Sequence, residues 1–254
     1  MLIDTHCHLY LSDFKEDLHE MLLRAENAGI KKFCFPAIDS SEHTSLLDLE
    51  NKYPQKCFAM MGLHPCSVKE NYLDELKQVR DFLDQRTFIA IGEIGLDFYW
   101  DKTYIDFQYR SFEMQMEWAL EKKRPIVIHT RNAMQETIDT VKPFARKGLK
   151  GIFHCFGGSL KDAEDIIDMG FLLGIGGIVT YKNAGLAEVL SQVDLKHIVL
   201  ETDAPYLSPV PYRGKRNESA FLRLIAEKVA TIKEMEPSQV AHITTQNAEK
   251  IFHF

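Results

Sequence analysis

An alternation of short apolar segments with longer segments of helical period constrains this chain more than any other feature. Eight stretches rich in apolar and β-branched residues, at 2–5, 32–37, 57–62, 88–92, 125–129, 151–154, 171–175 and 197–201, read as strands. Between them, 16–27, 107–122 and 160–169 read as helices. In the second of these, Phe107, Phe112, Met116 and Leu120 recur at about the helical spacing and predict a core-facing stripe. Strands alternating with helices predict a parallel sheet, and eight such units suggest closure into a barrel. No linker or low-complexity tract divides the chain, so residues 1–254 are expected to form one domain. A final helix, 237–251, is expected to pack outside the barrel or across its end.

Periodicity alone also allows an open doubly wound sheet, and the polar residues decide between the two. Asp4-Thr5-His6-Cys7-His8 follows the first strand, His64 the third, Glu93 the fourth, His129 the fifth, His154 the sixth and Asp203 the eighth. In a closed barrel these C-terminal strand ends meet at one mouth; on an open sheet they would spread along an edge. The expected fold is therefore α/β, a single (β/α)₈ TIM-like barrel with an extra C-terminal helix.

His6 and His8 are two residues apart, so on an extended backbone both rings point the same way and can ligate one metal. His129 and His154 end apolar strands. Glu93, flanked by Gly92 and Gly95, and Asp203 are carboxylates after apolar runs, costly to bury unless paired or metal-bound. Taken singly, each has an ordinary explanation as a surface pair or a satisfied core residue. Six residues obeying one topological rule point instead to a metal centre. Imidazole and carboxylate donors suit zinc, manganese, iron or nickel, and so few oxygen donors argue against a pure calcium site. The expected cofactors are two divalent metal ions.

Charge and cysteines limit the partners. A net charge of −7 offers no basic face for extended duplex binding, so any nucleic-acid function must rest on a local site. The five cysteines are odd in number and contain no CxxC pair, which excludes a disulfide framework and a zinc ribbon. The first residues do not read as a secretory leader, and the longest apolar stretch, 171–179, is less than half of the roughly 20 residues a membrane span needs. A cytoplasmic protein with no membrane association and no stable protein partner is expected.

Asp4-Thr5-His6-Cys7-His8, Gly92-Glu93-Ile94-Gly95-Leu96-Asp97, His129-Thr130-Arg131, His154-Cys155-Phe156-Gly157-Gly158 and Glu201-Thr202-Asp203-Ala204-Pro205-Tyr206-Leu207 resemble, in order and over the whole chain, the TatD-type deoxyribonuclease family of the amidohydrolase superfamily. The resemblance implies a TIM-like barrel and a two-metal hydrolase. By position, His6, His8 and Asp203 would hold one metal, His129 and His154 the second, and Glu93 would bridge them. Sister families bridge with a carbamylated lysine, so Glu93 marks the TatD type. The resemblance also implies divalent-metal-dependent cleavage of DNA phosphodiester bonds, as a 3'–5' exonuclease acting on a single strand or strand end. Three positions depart from the pattern of many members: Cys66 stands for a second histidine, Asn132 for an aspartate and Ser219 for a proline. None is a metal ligand.

Asp203 is expected to serve as general base and later as proton donor to the leaving oxygen. His64, Arg131 and Arg213 are expected to contact substrate, although His64 also reads as a histidine that only supports the ligands. The loop carrying Tyr206, Tyr212, Arg213, Lys215 and Arg216 could grip one or two phosphates and stack a base, or be merely solvated. Tyr99 and Trp100 could line the groove. Two rivals stand beside this reading: a bimetallic amidohydrolase acting on a small-molecule or aminoacyl-tRNA ester or amide, and a barrel that binds without catalysis.

Overall fold

The computed structural model describes residues 1–182 and 184–254. Eight strands are among them: β1 (Leu2–Asp4), β2 (Ile30–Phe35), β3 (Cys57–Ala59), β4 (Ile91–Asp97), β5 (Ile126–Arg131), β6 (Gly151–Phe153), β7 (Leu172–Ile175) and β8 (Ile198–Leu200). The helices are α1 (Leu18–Asn27), α2 (His43–Lys52), α3 (Tyr72–Gln85), α4 (Ile105–Lys122), α5 (Met134–Ala145), α6 (Leu160–Asp168), α7 (Leu186–Gln192), α8 (Leu222–Lys233) and α9 (Pro237–Phe252). Neighbouring strands pair in parallel in chain order, β1 to β3 and β4 to β8. A parallel bridge between Met61 and Ile91 joins the two runs at one seam. At the other, the Thr5 N–H and hydroxyl donate to the Leu200 carbonyl (3.1 and 3.0 Å) and the Asp203 N–H donates to the His6 carbonyl (2.9 Å). The TIM-like barrel follows from this order and these seams.

The fourth strand departs from the sequence expectation. It runs three residues later at its start and five later at its end, so Glu93 lies inside the strand and not beyond it. The polar Glu93 and Asp97 and the two glycines disguise a segment that is buried throughout and pairs with β5 as far as Arg131. Gly95 makes that pairing possible: at φ +147° a Cβ there would lie 2.0 Å from the His129 carbonyl oxygen.

The stripe on α4 also shifts. Phe112 and Met116 are buried as expected, but Phe107 and Leu120 are only partly so, and Gln108 and Gln115 take core positions. The reason is hydrogen bonding. Gln115 accepts from the Leu63 N–H (2.7 Å) and donates to its carbonyl (3.2 Å), and Gln108 does the same for Asp97 (2.9 and 3.2 Å). Backbone groups at strand ends that lack a neighbouring strand are satisfied by side-chain amides.

Asp4 locks the seam between first and last strands. Its buried carboxylate accepts from the Thr202 N–H (2.9 Å), the Thr202 hydroxyl (2.6 Å) and the Ser219 hydroxyl (2.6 Å). Burial outweighs these donors and pushes the carboxyl up to about 7. Ser219, one of the three departures, thus supplies a donor that proline could not.

Inside the barrel, Ile3, Cys34, Met60, Ala90, Val127, Ile152 and Val199 pack as one layer with Ala248 and Phe252 of α9. Of the two placements expected for the last helix, α9 takes the one across the barrel end, away from the strand C-termini. Replacing Phe252 by alanine opens this seal and is expected to cost about 3–5 kcal/mol of unfolding free energy, readable as a lower urea midpoint at unchanged slope. A midpoint within error of the parent would mean that α9 contributes nothing to the layer it touches.

Candidate metal centre

Six side chains that the sequence places on or just after strands 1, 4, 5, 6 and 8 meet at the barrel mouth. His6 Nε2 and His8 Nε2 lie 3.2 Å apart, and each is 3.6 Å from Asp203 Oδ1. Glu93 stands in the middle with its two oxygens divided between two groups. Oε2 is 3.1 Å from His6 Nε2, whereas Oε1 is 2.9 Å from both His129 Nδ1 and His154 Nε2. His6, His8 and Asp203 form one potential ligand set, and His6, Glu93 and His154 form another.

The hydrogen-bond partners settle which ring nitrogens are free. Tyr10 donates its hydroxyl to the Pro36 carbonyl (2.7 Å) and so accepts at 3.0 Å from His8 Nδ1–H, which leaves the His8 Nε2 lone pair facing the centre. His129 Nε2–H donates to Asp97 Oδ2 (2.8 Å) and leaves its Nδ1 lone pair facing Glu93 Oε1. His154 Nδ1 lies 3.3 Å from Glu201 Oε1, poorly aligned for a hydrogen bond, and its Nε2 also faces Glu93. At His129 a ring lone pair therefore points at a carboxylate oxygen at hydrogen-bond distance. Such an arrangement is repulsive unless a cation lies between, and neutral imidazole with carboxylate is a donor set that fits divalent metal.

His64 is oriented differently. Its Nδ1 accepts from the Cys66 N–H (3.0 Å), so its neutral ring carries the proton on Nε2, 3.4 Å from Glu93 Oε1. His64 therefore touches the ligand cluster as a donor, a role open to a substrate oxygen as well. The backbone is also constrained here. Asn132, Cys155 and Asp203 all have left-handed φ, at 52°, 48° and 58°. Asn tolerates that region as Asp does, so Asn132 can hold the same backbone as the aspartate expected there.

The remaining expected contacts divide. Arg131 stacks on Tyr99 (3.9 Å) and Trp100 (5.1 Å), with those rings 49% and 66% exposed. Arg213 stacks on Tyr181 (4.5 Å), and the half-exposed Tyr206 stands edge-on to His8 (6.1 Å). Arg216 belongs elsewhere: its guanidinium pairs with Asp17 at 2.7 and 2.8 Å, which removes it from the phosphate-gripping cluster read in the sequence. Sequence reasoning gave no role to Asp97, Glu201 and Tyr10, which support the ligands. The signal for the first two was present, since both are carboxylates in apolar strands, as Glu93 is.

A family model described as TatD related DNase matches residues 3–253. A metal-dependent hydrolase of Bacillus subtilis, YabD, is 35% identical over 99% of both chains. A protein of Yersinia pseudotuberculosis named 3'-5' ssDNA/RNA exonuclease TatD is 30% identical, again over 99% of both. Among solved structures, the TatD homologue YjjV of Escherichia coli superposes with a TM-score of 0.94 at 27% identity, covering 100% of this chain and 98% of its own.

Asp97→Ala removes the acceptor that fixes the His129 tautomer. It is expected to weaken divalent-metal affinity roughly 10–100-fold in competition titrations against a chelator. Unchanged affinity would show that His129 is not held as a ligand.

Proposed function

The chain belongs to the TatD family of metal-dependent hydrolases, and on that premise we propose that it is a deoxyribonuclease. It removes nucleotides in the 3'–5' direction from the end of a single DNA strand, using two divalent ions held by His6, His8, Glu93, His129, His154 and Asp203. The observation that carries the substrate class is the platform at the mouth. Tyr99 and Trp100 are exposed, and Arg131 lies over both without an ion-pair partner among the described residues. Flat π-faces beside an unpaired guanidinium suit a base and its phosphate. Asp97 ties this platform to the centre, because its Oδ1 accepts from the Tyr99 and Trp100 N–H groups (2.9 and 3.0 Å) while Oδ2 holds His129. The Yersinia relative's name supports a single-stranded nucleic-acid substrate.

The residues divide the work as follows. When bound, two divalent ions supply Lewis acidity to a phosphoryl oxygen and acidify a water. Asp203 takes the proton from that water at a carboxylate oxygen and later returns it to the leaving 3' oxygen of the chain. His64 Nε2–H donates to a non-bridging phosphate oxygen. Arg131 and Arg213 hold the flanking phosphate, so the protein grips a strand end without the basic face that its net charge of −7 denies it. The free cysteines fit a reducing cytoplasm.

With a 5'-labelled oligodeoxynucleotide and added magnesium, manganese or zinc, the protein is expected to produce a descending ladder. Asp203→Asn should lower kcat about 10²–10⁴-fold when assayed at saturating metal. Trp100→Ala should raise KM about 5–100-fold, the value of one stacked base, with kcat little changed. Hydrolysis of amides or aminoacyl esters in place of the oligonucleotide, with no ladder under any metal, would move the centre to the amidohydrolase reading.

A further inference from the structure

The end of the barrel opposite the mouth carries a cavity of about 860 Å³ whose lining is lopsided in charge. Lys123 and Arg124 come from the turn between α4 and β5, and Lys147 and Lys150 from the turn between α5 and β6. Lys196 precedes β8 and Lys250 lies in the last turn of α9. Among the described residues no aspartate or glutamate lines the cavity, in a chain whose acids outnumber its bases by 37 to 30. Lys196 pairs with Asp194 at 3.1 Å, but among the described residues no ion pair engages the other five cations. Beneath them the wall is apolar, and Leu120, Ile167, Leu172 and Ile251 present its accessible surface.

Cations after helix C-termini are ordinary, because the helix dipole favours them there. That explains the sign of Lys123 and Lys147, which follow α4 and α5. It does not explain why six cations ring a single concavity with an apolar wall. Like charges so gathered repel one another, and a polyanion between them relieves the repulsion. The volume lies within the roughly 300–1,000 Å³ range of small-molecule sites.

We propose that this cavity binds a small organic phosphate: two or more phosphate charges on the lysine rim and a flat apolar body on the wall, the chemistry of a nucleoside di- or triphosphate. A nucleic-acid strand matches less well, since it would follow an open basic strip and find no use for an apolar wall closed off by α9. The site is separate from the metal centre, which lies at the other end of the strands, and its existence does not depend on the reaction proposed there. Because its walls join α9 to the α4–β5, α5–β6 and α7–β8 turns, a bound phosphate would brace the end of the barrel that α9 seals.

The test is photolabelling of the metal-loaded protein with 8-azido-ADP, followed by peptide mapping, so that the two ends of the barrel are told apart directly. Label is expected in peptides carrying 123–125, 147–150 or 247–253, suppressed by excess ADP but not by adenosine or by sodium chloride of equal ionic strength. It should be lost in Lys147→Glu/Lys250→Glu and kept in the charge-matched control Lys77→Glu/Arg223→Glu, with thermal melting of both variants unchanged. Label confined to peptides of the mouth, or retained by Lys147→Glu/Lys250→Glu, would overturn the proposal. Protection by sodium chloride equal to that by ADP would reduce the site to general screening, and better protection by an oligodeoxynucleotide than by ADP would replace the pocket with a strand track. If the double variant melts early, Lys147→Gln and Lys250→Gln singly, each with weakened labelling, decide the question.

Discussion

The Glu93 carboxylate is the constraint on which the rest of the mouth depends. It is buried, its neighbours are imidazoles, among the described residues no lysine or arginine pairs with it, and its two oxygens face two different sets of ring nitrogens. A lone carboxylate so placed would be costly in a barrel interior. The surrounding architecture is arranged to make it an asset. Tyr10 and Asp97 fix the ring tautomers of His8 and His129, Gln108 and Gln115 satisfy the strand ends beside it, and Gly95 lets β4 approach β5 closely enough to present it. Removing any of these supports leaves the ligand residues in the sequence but not in register with one another.

Much of this was legible before any coordinates. The alternation of strands and helices, and the rule that polar residues collect at strand C-termini, were enough to bring His6, His8, Glu93, His129, His154 and Asp203 to one place. What misled was local composition. In β4, two glycines and two carboxylates made a buried strand look finished at Gly92, because single-chain patterns weigh side-chain polarity and not the partner that a neighbouring strand provides. On α4, two glutamines hid a core face for the same reason: their amides serve backbone groups far away in sequence, and periodicity has no access to those partners. Arg216 shows the opposite error. A basic residue in a promising loop is engaged by Asp17, almost two hundred positions earlier, and no spacing rule reveals that.

The two ends of the barrel solve different problems with the same scaffold. At the strand C-termini, polar groups are concentrated and the backbone adopts left-handed conformations at Asn132, Cys155 and Asp203, a strain that belongs where side chains must be aimed. At the other end, α9 lays Ala248 and Phe252 onto the interior layer, and the aliphatic and aromatic contacts there carry stability. Separating the two lets the mouth hold repelling lone pairs and exposed aromatics without loosening the core.

The seam formed by Thr5, His6, Leu200 and Asp203 also has a meaning in time. His6 and Asp203, which hydrogen-bonds back to it, stand almost two hundred residues apart in the chain. Contacts so distant in sequence form late and slowly. The potential ligand cluster of His6, His8 and Asp203 is therefore assembled only when the first and last strands have met, late in folding and not with the first hairpin of contacts.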